Sequence, residues 1–273
     1  MPELPEVETT RRGIAPVLEG ATIASVRVRE RRLRWRLAPD FEAALAGRRV
    51  LAVARRAKYL LLRTDAGVLI AHLGMSGSFR VLPADTPPLL HDHVDLVLDS
   101  GACVRFNDPR RFGSLHFVPA GEDLAAHPLL ARLGPEPLSP GFDGAHLHAR
   151  ARGRRVAIKQ FLMDSHVVVG VGNIYASEAL FRAGVRPGRA AGRLTRDEYA
   201  RIAAAVKAVL AAAIDVGGTT LRDYVNADGM PGYFRQKLYV YERAGEPCRT
   251  CGATIRHRVQ GQRSTYWCAE CQN

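Results

Sequence analysis

Residues 248–271, "CRTCGATIRHRVQGQRSTYWCAEC", hold four of the five cysteines of the chain as two Cys-x2-Cys pairs. Sixteen residues separate the pairs, a spacing typical of a tetrahedral site in which four thiolates bind one zinc ion. The residues between the pairs read as a strand, a turn around Gly261 and a second strand. We therefore predict a zinc hairpin with one structural Zn²⁺ per chain and no coordination position open for catalysis. Its ligands are Cys248, Cys251, Cys268 and Cys271.

Two disulfides are the alternative use of these four thiols. The N-terminus shows neither the basic segment nor the apolar segment of a secretion signal, so the pattern favours a reducing compartment and zinc. The fifth cysteine, Cys103, lies in a strand-like stretch and is expected to be a small buried apolar residue. No segment is long and apolar enough to span a bilayer, so we expect no membrane partner.

The balance of charge points to a polyanionic partner. The chain has 39 Lys and Arg against 27 Asp and Glu, a formal net charge of +12 and an isoelectric point of about 10.0. A solvated basic surface is the simpler explanation. However, the zinc hairpin carries no acidic residue between its cysteine pairs, while it contains Arg256, His257, Arg258 and Arg263. We therefore favour nucleic acid over a membrane and predict DNA binding that weakens steeply with salt.

The best-defined helix of the sequence lies upstream of the hairpin. It begins at Thr195, where Thr195 and Glu198 match a capping box, and it ends at about Val216, before Gly217-Gly218. Its apolar stripe consists of Ile202, Val206, Val209 and Ala213.

Two shorter helices are predicted before it, at residues 154–164 and 174–184. Asn173 is the expected N-cap of the second and Gly184 its stop signal. A tight turn joins the two helices, and residues 219–235 are predicted as a long loop.

The first half of the chain reads as β-structure. Between residues 21 and 118, apolar residues alternate or run in strand-length stretches, with "TDAG" and "LDSG" as hairpin turns. The pattern predicts an antiparallel sandwich or barrel. A short helix is expected before it at residues 5–18, and a Pro- and Gly-rich linker after it at 133–144.

The chain opens with "MPELPE", which places carboxylates at the tip of a basic protein. Removal of the initiator methionine would expose Pro2 as a secondary amine. Such an amine titrates at roughly 7.7–8.0 and can form a Schiff base with an electrophilic carbon. Glu3 would then adjoin the nucleophile for proton transfer, and Glu6, one helical turn further on, could orient the amine or a water. The same residues also suit an ordinary helix start, which they favour when taken alone.

Several long motifs occur in order along the whole chain. They are "MPELPEVET", "RRAKYLL" (55–61), "HLGMSGS" (72–78), "HDHVDL" (91–96), "DPRRFG" (108–113), "LGPEPL" (133–138), "VVGVGNIYASE" (168–178), "GGTTLRDY" (217–224) and the zinc hairpin. In these motifs the chain resembles bacterial formamidopyrimidine-DNA glycosylases, which are 8-oxoguanine DNA glycosylases and AP lyases. The resemblance implies a base excision repair enzyme that removes oxidised purines from duplex DNA and cuts the strand by β- and δ-elimination. It also implies a location in the bacterial cytoplasm, associated with the nucleoid. A single domain cleft with one zinc ribbon suggests a monomer.

The fold implied by the resemblance is a multidomain α+β fold. An N-terminal β-sandwich with an N-terminal helix (1–132) would be followed by a helix–two-turns–helix domain (133–236) and a zinc finger (237–273). The order of elements inferred from the residues alone is the same.

The resemblance assigns the chemistry to five residues. Pro2 would be the nucleophile that forms the Schiff base, Glu3 the proton donor and Glu6 a supporting hydrogen-bond partner. Lys58 and Arg263 would be the proton donors for β-elimination and δ-elimination, and both would also contact phosphates.

Further residues would hold DNA from which the damaged nucleotide has been flipped out. The DNA-binding residues would be Lys58, His72, His93, Arg110, Asn173 and Arg263. The space left in the duplex would be filled by Met75, Arg110 and Phe112, types that suit wedging and hydrogen bonding to the orphaned base. A loop over the lesion would include Thr219, Thr220, Arg222 and Tyr224.

Two other functions stay open at this point. Endonuclease VIII shares the fold and the proline chemistry but prefers oxidised pyrimidines; "PELPE" and the Met/Arg/Phe set favour the purine enzyme. A non-catalytic zinc-ribbon DNA-binding protein would be expected to lack Pro2 or Glu3, and both are present.

Two clusters remain without a definite role. A second metal at His91, Asp92 and His93 is disfavoured, because alternate residues of a strand face opposite ways. The basic stretch at 149–159 either binds phosphate, through Arg154, Arg155 or Lys159, or is a solvated face.

Overall fold

A computed structural model describes residues 2–218 and 238–273 of the protein. Contacts divide the described chain into two compact units, one of residues 2–131 and 216–218 and the other of residues 132–215 and 238–273. The predicted loop at 219–235 lies outside the described residues, as do its members Thr219, Thr220, Arg222 and Tyr224.

The first unit consists mainly of two antiparallel four-stranded sheets. Helix α1 (Leu4–Leu18) precedes them. One sheet contains β1 (Ile23–Val28), β5 (Ser78–Pro83), β6 (Asp92–Leu98) and β7 (Ala102–Asn107), in the spatial order β1-β6-β7-β5. The other contains β2 (Val50–Arg56), β3 (Tyr59–Thr64), β4 (Gly67–His72) and β8 (Ser114–Pro119), in the order β2-β3-β4-β8. A short helix that the sequence did not predict, α2 (Phe41–Leu45), lies between β1 and β2.

Both sheets and α1 bury their apolar side chains in one core. Ile14 of α1, Leu62 of β3 and Phe106 of β7 belong to the same cluster and are fully buried. This arrangement confirms the predicted sandwich. The predicted hairpin turns "TDAG" and "LDSG" connect β3 to β4 and β6 to β7.

Helix α1 covers the predicted range 5–18 and begins one residue earlier, at Leu4. Pro16 lies inside its last turn. Leu4, Val7, Ile14 and Leu18 bury the apolar face of the helix against the sandwich. The burial of that face stabilises the last turn more than the missing N–H of one proline weakens it.

Besides a short 3-10 helix (Ala191–Arg193), the described part of the second unit contains four α-helices and one β-hairpin. These are α3 (Gly144–Ala151), α4 (Ile158–Leu162), α5 (Asn173–Arg182), α6 (Arg196–Asp215), β9 (Ile255–Gln260) and β10 (Arg263–Cys268). Helix α6 confirms its prediction, including the capping box. The Thr195 hydroxyl accepts from the Glu198 N–H at 3.2 Å, and a Glu198 carboxylate oxygen accepts from the Thr195 N–H at 2.8 Å.

Two elements of this unit differ from the sequence prediction. Helix α3 begins directly after the expected linker, where the Asp143 carboxylate accepts from the His146 N–H at 2.7 Å. Helix α4 is shorter than the predicted 154–164. The residues before it are extended, because the Ala191 N–H donates to the Val156 carbonyl and the Ile158 N–H to the Arg189 carbonyl, both at 2.8 Å.

The hairpin at the end of the chain forms as predicted. Strands β9 and β10 pair in antiparallel register. Both loop residues, Gly261 (φ +56°) and Gln262 (φ +60°), have left-handed backbones, as a type I′ turn requires. Cys103 lies on β7 and is fully buried, which confirms its predicted position. Among the described residues, none of the helices has the length and apolarity needed to cross a bilayer.

Candidate active site and nucleic-acid interface

The first residues of the chain are fixed at the N-terminus of α1. Pro2, Glu3 and Glu6 are all buried. Glu3 is the N-cap of the helix, and Glu3 and Glu6 form a capping box in which a Glu6 carboxylate oxygen accepts from the Glu3 N–H at 2.8 Å. The predicted nucleophile Pro2, proton donor Glu3 and supporting residue Glu6 therefore lie together at the N-terminus of α1. The alternative prediction, that these residues form an ordinary helix start, is also correct.

Gly218 packs directly against Glu6. Its backbone is left-handed (φ +79°), and a Cβ atom at this position would lie 3.1 Å from a Glu6 carboxylate oxygen. A side chain there would strain the backbone and press on the carboxylate. Gly218, the last described residue before 219, is therefore held next to the capping box.

Lys58 lies at the tip of a tight hairpin. Only Ala57 and Lys58 connect β2 to β3. Ala57 has a left-handed backbone (φ +55°), which costs roughly 1–2 kcal/mol for a residue other than glycine. Arg55 holds this tip by donating to the Ala57 carbonyl at 2.8 Å. The Glu8 carboxylate in turn accepts from Arg55 at 3.1 Å.

Glu8 therefore does more than complement the helix dipole, the role expected from the sequence. Burial alone would raise the pKa of this carboxyl group, but ion pairs with Arg11, Arg12 and Arg55 outweigh burial and lower the pKa below its ordinary value. Glu8 stays ionised and ties α1 to the hairpin that carries Lys58.

His72 lies beside Lys58 at the same end of its sheet. It is paired with Tyr59 across β3 and β4, and their ring centroids are 5.0 Å apart. Burial, together with the positive charges of Lys58 and Arg34, lowers the pKa of His72 to about 4. The imidazole is therefore neutral at pH 7. Since its Nδ1 accepts from the Gly74 N–H at 3.0 Å, the proton is on Nε2, which can donate to an anion such as a phosphate.

This neutral histidine predicts a pH dependence of stability. The unfolded chain binds a proton at His72 near pH 6.5, whereas the folded chain does so only near pH 4. The group's contribution is therefore complete above pH 6.5 and is lost as the pH falls toward 4, by at most roughly 3 kcal/mol. We expect urea unfolding at pH 7, 5 and 4 to show a steeper loss for the wild-type protein than for His72→Gln. An NMR titration that gave His72 a pKa near 6.5 would contradict this expectation.

The three residues predicted to fill the duplex lie on two turns that pack together. Met75 is on the turn between β4 and β5, and Arg110 and Phe112 are on the turn 108–113 between β7 and β8. A Cβ atom on Gly74 would lie 2.4 Å from the Phe112 backbone, so the two turns are in direct contact. Phe112 is 42% exposed, and the Arg110 guanidinium lies 5.0 Å from its ring centroid.

Asp108 joins these turns and was not singled out by the sequence. Its buried carboxylate accepts from the Ser76 hydroxyl at 2.8 Å, the Gly113 N–H at 2.7 Å and the Arg110 N–H at 3.3 Å. One carboxylate therefore fixes the backbone around both Met75 and the Arg110–Phe112 pair. The Asp-Pro-Arg-Arg motif was visible in the sequence, but the Ser76 partner lies 32 residues away.

His93, predicted to contact DNA, is buried on β6. Its Nε2 lies 2.8 Å from the Asp108 carbonyl oxygen. His93 therefore supports the 108–113 turn from the interior of the unit. Direct contact between His93 and DNA stays a prediction, and the burial of the side chain does not favour it. The carboxylate of Asp92, beside His93, pairs with Arg80 and accepts hydrogen bonds from the Asn107 side chain and the Leu89 N–H.

Asn173, in the second unit, is the first residue of α5. The N-cap is Gly172, so the expectation that Asn173 caps the helix is wrong by one position. Its side-chain amide donates to the Tyr241 hydroxyl at 3.4 Å. The buried carboxylate of Glu178 fixes Tyr241, because it accepts from the N–H groups of Tyr239, Val240 and Tyr241 at 2.9 Å each.

Arg263 follows the type I′ turn directly and is exposed at the start of β10. Lys159 supports this strand from beneath. Its ammonium group is buried and donates to the Ser264 carbonyl at 2.7 Å and the Thr265 hydroxyl at 2.9 Å. Of the phosphate-binding options for the 149–159 stretch, Lys159 is therefore excluded as a surface cation, while Arg154 and Arg155 are exposed.

The four cysteines of the hairpin converge on one point. All four sulfur atoms lie within 4.8 Å of one another, with Cys251 and Cys268 at 3.4 Å and Cys248 and Cys271 at 3.9 Å. Tetrahedral zinc with Zn–S bonds of about 2.3 Å separates its sulfurs by about 3.8 Å, whereas a disulfide requires about 2.0 Å. The donor set fits a four-thiolate zinc ion, which would stabilise the hairpin and take no part in catalysis.

Models of known families match three consecutive parts of the chain. The Formamidopyrimidine-DNA glycosylase N-terminal domain matches residues 1–115, the Formamidopyrimidine-DNA glycosylase H2TH domain matches 133–225, and the zinc finger found in FPG and IleRS matches 245–273.

Individual proteins resemble the chain over its full length. Formamidopyrimidine-DNA glycosylases from Stenotrophomonas maltophilia and Methylococcus capsulatus are each 59% identical over 272 residues, covering 100% of both chains. The crystal structure of the MutM (Fpg) protein from Thermus thermophilus has 44% identity and a TM-score of 0.88, with 99% of this chain and 98% of that chain covered. A complex between Lactococcus lactis Fpg and DNA containing an abasic site has 30% identity, a TM-score of 0.91 and 99% coverage of both chains.

Proposed function

This chain belongs to the formamidopyrimidine-DNA glycosylase family, and we propose that Pro2 and Glu3 carry out the chemistry of its base removal. The chain is accordingly a DNA glycosylase with AP lyase activity that removes oxidised purines from duplex DNA. The observation that carries the residue assignment is the buried start of α1, where Pro2 adjoins the Glu3–Glu6 capping box. The three-domain division at residues 132 and 236 is part of the same proposal.

Base removal begins at the secondary amine of Pro2, once Met1 has been cleaved. The amine attacks C1′ of the damaged nucleotide, and the bond from C1′ to the base breaks, so that the base leaves with the bonding electrons and takes up a proton. Glu3 donates a proton to the ring oxygen O4′, which opens the sugar and converts the amine into a Schiff base. Glu6 takes no proton in this scheme; it holds the backbone of Glu3 in place.

Strand cutting follows from the Schiff base. The cationic imine acidifies C2′, so loss of a proton there expels the 3′-phosphate. Loss of a proton from C4′ of the resulting conjugated imine then expels the 5′-phosphate. Water hydrolyses the imine, which releases the remaining sugar fragment as an unsaturated aldehyde and frees the Pro2 amine, so the DNA is left with a one-nucleotide gap with phosphate at both ends. We assign proton donation to the departing phosphates to Lys58 in the first elimination and to Arg263 in the second.

Other residues bind the duplex. Lys58 and the Nε2–H of His72 face the same end of the sandwich as Arg110 and are assigned to phosphates. Met75, Arg110 and Phe112 are assigned to the space left by the flipped nucleotide, because they lie on two contacting turns fixed by Asp108, where Arg110 and Phe112 are exposed and Met75 is half-buried. Asn173 and Arg263 are assigned to further phosphates. We extend the proposal to a location in the cytoplasm with the nucleoid, because the proposed substrate is duplex DNA.

Trapping with borohydride tests the nucleophile. We expect the purified protein, mixed with an 8-oxoguanine duplex and borohydride, to form a covalent protein–DNA adduct that Pro2→Gly does not form. An adduct that persisted in Pro2→Gly, or no adduct with the wild-type protein, would refute the Schiff base on Pro2. Cutting at 8-oxoguanine is expected to exceed cutting at thymine glycol, and the reverse order would indicate the specificity of endonuclease VIII.

A further inference from the structure

An arginine-rich turn lies next to the turn that carries Arg110 and Phe112. Residues 30–36, "ERRLRWR", connect β1 to α2 and are here called the arginine turn. Residues 108–113 are called the insertion turn. Neither the sequence motifs nor the assigned chemistry uses the arginine turn.

Three contacts fix the two turns together. The Arg34 N–H donates to the Gly113 carbonyl at 3.1 Å. Arg111 forms an ion pair with Glu30 at 3.1 Å. The Trp35 ring meets His116 of β8 edge-on, with ring centroids 5.3 Å apart. These contacts hold the arginine turn directly beside the insertion turn.

Glu30 forms ion pairs with two arginines of these turns but not with Arg34. It pairs with Arg32 at 3.0 Å as well as with Arg111, and the hydrogen bonds from Arg32 are the main reason why the pKa of Glu30 falls to about 2. Arg32 and Arg111 thus share one ionised carboxylate, which offsets one of their two positive charges. Arg34, by contrast, has no carboxylate partner within the described part of the chain, and it lies close enough to His72 to lower the pKa of that imidazole.

Arg34 and Trp35 repeat the arrangement of the insertion turn. The Arg34 guanidinium lies 4.7 Å from the Trp35 ring centroid, as Arg110 lies 5.0 Å from that of Phe112. Trp35 and Phe112 are each 42% exposed. An aromatic ring that is exposed beside an unneutralised arginine is the combination that binds a nucleic-acid backbone and packs against its sugars or bases.

We propose that Arg34 and Trp35 form a second DNA-contacting element, in which Arg34 binds a backbone phosphate and Trp35 packs against the adjoining nucleotide. This inference rests on the proposed function, since it places the contact beside the insertion turn on the same duplex. The alternative is a purely structural role, in which Trp35 only supports β8 through His116.

A comparison of Arg34→Ala with Arg63→Ala distinguishes the DNA-contacting role from the purely structural one. Arg63 is also exposed, but it lies at the far end of β3 from Tyr59 and His72. Duplex affinity is measured from about 0.1 to 0.5 M salt, with thermal unfolding as a check on folding. We expect Arg34→Ala to weaken binding roughly tenfold at 0.1 M salt and to reduce the slope of log K against log salt by about 1. Arg63→Ala should change neither.

A second measurement leaves Arg34 intact. The chain has two tryptophans, so Trp267→Tyr leaves Trp35 as the only one. We expect a duplex to quench Trp35 emission and to protect it from acrylamide. Unchanged emission at saturating duplex, or an Arg34→Ala slope equal to that of the wild-type protein, would overturn the inference. Failure of the wild-type protein to bind any duplex would instead refute the proposed function itself.

Discussion

Replacing Glu3 by glutamine is expected to lower the rate of base release from an 8-oxoguanine duplex by at least about 100-fold, the usual contribution of a general acid. The amide keeps the size of the carboxyl group and an oxygen that can still cap α1, but it has no acidic proton for O4′. The fold should therefore survive while the sugar ring fails to open. Single-turnover release of the base measures this step directly.

The same variant should distinguish two substrates. The sugar of a pre-formed abasic site is already in equilibrium with its open-chain aldehyde, so Schiff-base formation there needs no ring opening by Glu3. We expect Glu3→Gln to cut abasic DNA with a much smaller loss than it shows with 8-oxoguanine. An equal loss on both substrates would mean that Glu3 acts elsewhere in the reaction.

Glu6→Gln is the matched control, because it makes the same chemical change one turn away. Its amide oxygen can still accept from the Glu3 N–H, which Glu6 binds at 2.8 Å. We expect a loss of less than about tenfold in base release. If Glu6→Gln were as inactive as Glu3→Gln, the proton donor could not be assigned to Glu3.

Replacing Cys268 by serine is expected to remove zinc and unfold the hairpin. Cys268 is fully buried, and its N–H donates to the Gln272 side chain, which in turn donates to the Val185 carbonyl. Structural zinc contributes about 10–16 kcal/mol to the folding of comparable small modules. Zinc measured by plasma mass spectrometry should fall from about one ion per chain to almost none.

The loss of the hairpin should also impair DNA binding. Among the described residues, the turn and the contacts of β10 position Arg263, so we expect duplex affinity to fall at least about tenfold in Cys268→Ser. Cys103→Ala serves as control, because this buried thiol lies on β7 in the other unit and should leave the zinc content unchanged. A full zinc content in Cys268→Ser would contradict the four-thiolate site.

Local signals in the sequence predicted the elements that depend on local contacts. The α6 capping box spans four residues, and the zinc hairpin spans the 24 residues from Cys248 to Cys271. Elements whose ends depend on distant partners were predicted less well. Helix α4 starts late because the preceding residues pair with a segment more than 30 positions further on, and no pattern around residue 156 indicates that pairing.

The same difference between local and distant contacts applies to the candidate site. Motifs identified Pro2, Glu3, Glu6, Lys58 and the cysteines as candidates for the site, but they did not indicate the contacts between distant residues that fix the surrounding turns. The Asp108 carboxylate accepts from Ser76, 32 positions away along the chain. Glu30 forms an ion pair with Arg111, about 80 positions away. Such partners become visible only when the sheets bring distant turns to one end of the sandwich.

The buried ammonium of Lys159 has a consequence for the order of folding events. Its bond to the Ser264 carbonyl joins residues 105 positions apart, and closing so long a loop carries a large entropic cost. The four cysteines of the hairpin lie within a much shorter stretch, from Cys248 to Cys271, although its apolar cluster also includes Phe181 of α5. We therefore expect the Lys159 contact, as the long-range one, to form after the hairpin has closed locally.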